Sequence, residues 1–277
     1  MKRFALSTIF ILQFFVAIAL PRAKRVHTRR ANTRHSLLFF TNHNSFVAET
    51  SVNFERDTGS LMVTHPSLLL RYGVLGLLEF RLGVDIATVK DLNTNRFKSG
   101  LMPLQPGLKI QFNRAHKFLP AFTLTGSVVI PMAASPIMQQ TYFAPYIIAG
   151  AEQDITKKLS FEYDAALQWD ADNFHRIYSG IINCEYDITS RSTFYGDLYV
   201  IKEDGSGWDI RADLGFNQTI TPALQFDLSA GYGFTSSAPQ FFLTAGLYFS
   251  VQGKGKRNGL SPKAITSPGL KKPLPVH

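Results

Sequence analysis

The sequence predicts an all-β fold, an antiparallel up-and-down transmembrane β-barrel of about 12 strands. Three observations carry this expectation. Strand-like segments follow one another from residue 45 to residue 251 with few interruptions. Within them apolar and polar side chains alternate with period two, the mark of a strand whose two faces meet different surroundings. The segments also outrun the ~5–6 residues of an average soluble strand and match the ~9–11 residues of a tilted membrane-crossing strand.

Composition points the same way. Hydrophobic residues make up 45% of the 277 and charged residues 18%, so the chain as a whole has enough apolar surface to order itself. Aromatics reach 13%, with 23 Phe and 10 Tyr, which favours strands over helices. Cys184 is the one cysteine, which excludes an intramolecular disulfide and a cysteine metal cluster. The net charge of +9 belongs to the ends. Residues 1–35 carry eight Lys or Arg and no acid, and residues 254–277 carry six and no acid. Between them, 36–253 has a net charge of −5. No basic face is concentrated in the folded part, so nucleic acid is not an expected partner.

Taken in order, residues 1–19 read as a signal peptide. Lys2 and Arg3 precede the apolar run 4–20, and Ala17-Ile18-Ala19 supplies a small-residue cleavage site. Residues 20–44 form a basic, polar N-terminal segment. The barrel, 45–251, divides into strands at 45–57, 61–75, 77–90, 100–115, 119–133, 142–156, 158–170, 175–188, 192–203, 207–220, 224–234 and 239–251, with no helical period among them. Residues 252–277 read as a disordered basic tail with little to bury.

The alternation is clearest in four stretches. Leu78, Phe80, Leu82, Val84 and Ile86 oppose Glu79, Arg81 and Asp85. Leu159, Phe161, Tyr163, Ala165, Leu167 and Trp169 oppose Ser160, Glu162, Asp164 and Gln168. Trp208, Ile210, Ala212, Leu214 and Phe216 oppose Asp209, Arg211, Asp213 and Asn217. Leu224, Phe226, Leu228 and Tyr232 oppose Gln225, Asp227 and Ser229. In a membrane barrel the apolar face meets lipid and the polar face lines the lumen. Short links, among them 115–117 and the repeated Ile-Thr turns at 155–158, 188–191 and 220–223, take turns with more variable ones such as 91–100 and 134–140. Tyr142, Phe143, Tyr146, Tyr163, Trp169, Trp208, Phe234 and Phe241 fall toward strand ends, where an interfacial girdle needs them. An even strand count with short periplasmic turns puts both termini in the periplasm of a bacterium, with the barrel in its outer membrane. Gly231 and Gly233 are placed where neighbouring bulk or curvature needs room.

The expected lumen-lining and selectivity residues are Glu79, Arg81, Asp85, Lys109, Glu162, Asp164, Asp197, Asp209, Arg211, Asp213 and Asp227, with Glu49, Arg71 and Glu185 on the same faces. Fixed negative charge in a narrow bore favours cations or neutral solutes over anions. Residues 24–44 are candidates for blocking it. Membrane lipid and a small-molecule solute are the expected partners, and no catalytic residue, metal site or cofactor is assigned. One alternative is a lipid-acting hydrolase. His43 and Ser45 have the His-x-Ser spacing seen in outer-membrane phospholipases, with Asn42 and Asn53 as orienting candidates. Another is a non-conducting structural barrel whose bore is filled.

The stretch "TAGLYFSV", 244–251, resembles the terminal recognition strand of outer-membrane barrels, which implies the barrel-assembly machinery as a partner during insertion; the tail after it departs from that pattern. "QPGLKIQF" and "LPAFTLTGSVVIPMA", followed by the hairpins after Ile155 and Ile188, resemble the MetA-pathway of phenol degradation family over roughly 45–251. That resemblance implies an outer-membrane channel for small, hydrophobic or aromatic solutes.

Overall fold

The computed structural model describes residues 41, 44–113 and 119–252. The signal peptide, nearly all of the N-terminal segment including Asn42 and His43, and the tail beyond Gln252 lie outside the described residues.

Twelve antiparallel strands close into a barrel. In order these are β1 (Ser45–Arg56), β2 (Ser60–Leu75), β3 (Leu78–Asp91), a short β4 (Phe97–Leu101), β5 (Gln105–Gln111), β6 (Ala121–Val129), β7 (Ala144–Asp154), β8 (Leu159–Trp169), β9 (Arg176–Asp187), β10 (Ser192–Glu203), β11 (Trp208–Thr221), β12 (Leu224–Gly233) and β13 (Phe241–Gln252), with β4 as an extra strand beside the ring. Neighbours around the ring follow chain order, and β1 pairs with β13 from Ser45↔Gln252 to Arg56↔Phe241. Closure leaves no free edge around the ring, the condition a backbone must meet in hydrocarbon. Among the described residues the only helix is one 3-10 turn, Pro136–Met138.

The fourth segment differs from expectation. A single strand over 100–115 is replaced by β4 and β5, broken at Met102-Pro103-Leu104. Pro103 has no amide to give to the ladder. β4 pairs with the far half of β3 and β5 with its near half. At its Leu101 end the other edge of β4 meets the loop 130–143: Ser135 donates its amide to the Leu101 carbonyl at 3.0 Å, and Leu101 donates to Ser135 Oγ at 2.9 Å. Gly100 permits this approach, since a Cβ there would lie 2.8 Å from Ser135 Cβ.

The repeated Ile-Thr turns have one physical cause. Thr156 Oγ1 accepts the amides of Lys158 and Leu159 at 3.1 and 3.0 Å. Thr189 Oγ1 accepts from Arg191 at 3.1 Å and Thr221 Oγ1 from Ala223 at 3.3 Å. The hydroxyl stands in for the missing ladder partner and closes the reversal. The preceding Ile155, Ile188 and Ile220 stay exposed at 55%, 40% and 51%. They line the rim at the barrel end that also holds Ser45 and Gln252, so β1 begins and β13 finishes at one end.

The apolar faces point outward. Phe80, Leu108, Leu124, Ile147, Leu198, Leu214 and Leu228 are all exposed although they sit in mid-strand. An apolar surface running from strand to strand around a closed barrel far exceeds what a water-soluble monomer leaves bare. It is the surface of a protein solvated by lipid.

Candidate functional site

The inward faces converge on the lumen, and the register sorts their charges onto two walls. The first wall spans β1 to β5. Ladder pairs Arg71↔Arg81 and Glu79↔Lys109 place four charged residues side by side. Arg71 is 1% exposed and is held on three sides. Its Nε lies 2.8 Å from Glu79 Oε1 and its Nη2 2.9 Å from Glu79 Oε2, a two-pronged match of guanidinium to carboxylate. Its Nη1 lies 2.6 Å from Glu49 Oε1. Arg81 Nε stands 3.6 Å from Glu79 Oε1. Glu79 also accepts the backbone amide of Thr41 at 2.7 Å, which places Thr41 beside it in the bore. Lys109 is wholly buried beside Glu79. Asp85 lies farther along β3, in a cavity of about 190 Å³ shared with Gln105, Thr125, Ser127, Tyr146 and Gln168.

The second wall spans β8 to β12 and is acidic. The register aligns Glu162, Asn183, Asp197 and Asp213 in one row across four strands. Asp197 and Asp213 are direct ladder partners. Asn183 hydrogen-bonds to Asp197 from its side-chain amide. Asp164, Glu185, Asp209 and Asp227 complete this wall, all buried. Two tyrosines brace it: Tyr195 donates to Asp227 Oδ1 at 2.9 Å and Tyr199 to Asp213 Oδ2 at 3.3 Å. Gly215 gives the Tyr195 ring its place, since a Cβ there would sit 2.0 Å from Cζ. Gly231 does the same for Phe242, at 2.1 Å.

Arg211 is the one Lys or Arg on the inward face of this wall. Its Nε donates to Asp209 Oδ1 at 3.0 Å, and Glu55 of β1 stands 3.6 Å away. The guanidinium lies over Phe242, 5.8 Å from the centroid, and Tyr199 meets that ring edge-on at 6.3 Å. A cation, two carboxylates and two aromatic rings thus converge where β11 faces β1 and β13.

All eleven residues expected in the lumen therefore lie on inward faces, buried or half-buried. The sequence reading missed the inward aromatics Tyr195, Tyr199, Phe242 and Tyr248, and it assigned Tyr146 to the outer girdle although it lines the cavity beside Asp85. Their parity was the available signal. Tyr195 and Tyr199 are each two residues from Asp197, and Phe242 shares its face with Thr244, Gly246 and Ser250. Of the hydrolase candidates, Ser45 opens β1 at the rim and is buried, while Asn53 hydrogen-bonds to Ser51. Asn53 lies eight residue steps along the strand from Ser45, about 26 Å, too far for Asn53 to orient a group beside Ser45.

Known structures share this architecture. An outer membrane channel from Pseudomonas putida F1 superposes with a TM-score of 0.63 at 12% identity, covering 79% of this chain and 99% of that one. The NanC porin follows at a TM-score of 0.51 and 10% identity, covering 73% and 98%, and the KdgM porin at 0.50 and 13%, covering 74% and 99%. At such identities the likeness is one of fold. No curated protein matches by sequence. The family described as "Putative MetA-pathway of phenol degradation" matches residues 28–251, and with its closed, lipid-facing barrel the chain belongs to that family.

Proposed function

We propose that this protein is a passive outer-membrane channel for small solutes, with a narrow lumen that is acidic on balance. The observation that carries this reading is the charged, aromatic-braced bore inside an apolar-coated barrel. Seven buried carboxylates share one wall with Arg211 among the described residues, and a purely structural barrel would fill that wall more cheaply with apolar side chains. Those carboxylates favour cations and neutral solutes over anions. Glu79, Arg81, Asp85, Lys109, Glu162, Asp164, Asp197, Asp209, Arg211, Asp213 and Asp227 set selectivity in this reading. Thr41 against Glu79 narrows the passage.

The solute is small and hydrophobic or aromatic. The phenol-degradation description of the family supports this, as do the ring faces of Tyr195, Tyr199 and Phe242. The rim that holds Ser45 and Gln252 faces the periplasm, residues 1–19 direct export and are removed, and the barrel-assembly machinery inserts the chain. Reversal potentials across planar bilayers under a salt gradient test the lumen. Cation preference is expected, and a clear anion preference overturns the acidic-lumen reading. Uptake of a neutral monocyclic aromatic alcohol into vesicles tests the solute class; passage no faster than in protein-free vesicles overturns it.

A further inference from the structure

A row of outward-facing side chains crosses the barrel wall at the end opposite the termini. The ladders pair Phe241 with Arg56, Arg56 with Leu61, Leu61 with Lys90 and Lys90 with Phe97. Directly paired residues share a face, and Phe97 at 74% and Phe241 at 36% exposure identify it as the lipid-facing one. Arg56 and Lys90 therefore stand two strands apart, roughly 10 Å between backbones, with an aromatic residue on each flank. On the same side His65 Nε2 lies 2.8 Å from Thr88 Oγ1, which donates to Ser99 Oγ at 2.8 Å. Arg96 and Lys98 are exposed in the adjoining hairpin.

Elsewhere on this rim the outward cations are occupied. Arg176 donates to Asp204 at 3.0 Å, and Lys202 donates to the Ser206 carbonyl and lies over Trp208. Among the described residues Arg56, Lys90, Arg96 and Lys98 take part in no ion pair. The neighbouring acids turn to their own loops: Asp57 accepts the Thr58 amide at 2.6 Å, and Asp91 accepts those of Asn93 and Thr94 at 2.8 and 3.0 Å.

Cations bared toward lipid are costly unless they reach the headgroup layer and meet an anion there. Here two of them flank Leu61, with hydroxyls close by and an apolar wall of Phe54, Val63 and Leu243 beneath. That arrangement matches an anionic, oxygen-rich headgroup whose acyl chains run down the wall. We propose that this strip binds a phosphate-bearing acylated glycolipid of the outer leaflet. Arg56 and Lys90 hold a phosphate through charge-assisted hydrogen bonds, and His65, Thr88 and Ser99 hold sugar hydroxyls. The proposal rests on the outer-membrane reading, with this rim extracellular.

Native mass spectrometry of the full chain, released from detergent after titration with a bisphosphorylated acyl-glucosamine disaccharide, tests it. Wild type is expected to retain the lipid, and retention of the phosphate-free form is expected to be negligible. Arg56→Ser with Lys90→Ser should lower retention by at least about tenfold, while Arg176→Ser leaves it unchanged. Equal retention of the phosphate-free lipid by wild type overturns the proposal without recourse to any variant. Equal retention of phosphatidylglycerol, or of the glycolipid by the double variant, overturns it as well. A wild-type chain that will not insert into bilayers sinks the outer-membrane reading itself; one that inserts but binds no glycolipid sinks this proposal alone.

Discussion

The two walls of the lumen use the same residue types to opposite ends. On β1 to β5 three cations meet Glu49 and Glu79 in a cluster whose hydrogen bonds are short and shared. On β8 to β12 carboxylates stand in register with one another, and among the described residues tyrosine and asparagine donors brace Asp227, Asp213 and Asp197. The first wall is near balance and holds the bore together. In the channel reading proposed above, the acids of the second are the charge that a passing ion feels. A buried ion is tolerable when it is paired and expensive when one partner is lost, so substitutions should separate the two walls.

The largest effect is expected at Arg71. Arg71→Met leaves Glu49 and Glu79 buried without their shared cation, at a cost of about 3–5 kcal/mol. The urea midpoint at which the heat-modifiable, compact form is lost on gels measures it. Adding Glu49→Gln alone to Arg71→Met should restore part of the loss, because Glu49 is then neutral while Glu79 keeps Arg81 and Lys109 beside it. A midpoint for Arg71→Met equal to wild type would show that this wall is wet and that its pairing does not support the fold.

Next in size is the seating of the rings. Gly215→Ala puts a methyl group where the Tyr195 ring lies, so the ring must move and its bond to Asp227 is lost. Overpacking of this kind costs about 1–3 kcal/mol. Gly231→Ala should act likewise through Phe242 and loosen its contact with Arg211. If neither variant shifts the urea midpoint, the rings are not held against the wall.

The acid row is expected to behave in the opposite sense. Asp197 and Asp213 are direct cross-strand partners of like charge, an arrangement that costs roughly 0.2–1 kcal/mol when both are ionised. Asp197→Asn with Asp213→Asn should leave stability level or slightly raised, while the reversal potential moves toward anions. Loss of stability without a change in selectivity would make this wall, like the one on β1 to β5, a support for the fold rather than a filter.

The contrast also explains what could be read in advance. Period-two alternation fixed which side of each strand is inward, and in the four clearest stretches Glu79, Glu162, Asp209 and Asp227 fall on the polar face in both sequence and structure. Strand limits followed from the same pattern, and the Ile-Thr repeats marked one rim. Alternation carries no register, however. That Arg71 would meet Glu79 on the next strand and Glu49 on the previous one depends on bulges at Ser51/Asn53, Thr64/Ser67 and Gly73/Leu75, which shift the pairing without altering composition. The break at Pro103 is legible as a proline inside a strand, but the apolar pattern continues past it and does not show where the strand divides. Inward tyrosines were hidden because an aromatic ring satisfies either face, and only its parity with a neighbouring carboxylate distinguishes them.

The smallest effect is expected outside the bore, at Arg176 and Asp204. Their geometry, 3.0 Å from Nε to Oδ2, rivals that of the Arg71 cluster, but the side chains are 56% and 41% exposed. The hydrogen bond from Arg176 holds the Asp204 carboxyl below its ordinary value. A depressed carboxyl contributes stability at pH above its unfolded value, near 3.9, and loses it as pH falls through the lower folded value. In water that contribution is screened and offset by the entropy of holding two long side chains. Asp204→Asn should therefore leave the urea midpoint unchanged at neutral pH, and the difference between variant and wild type should stay flat as pH is lowered toward 3. A drop at neutral pH as large as that of Arg71→Met would mean that pair geometry alone sets the effect. In that case the burial that separates the lumen wall from the outer loop would no longer account for the difference between them.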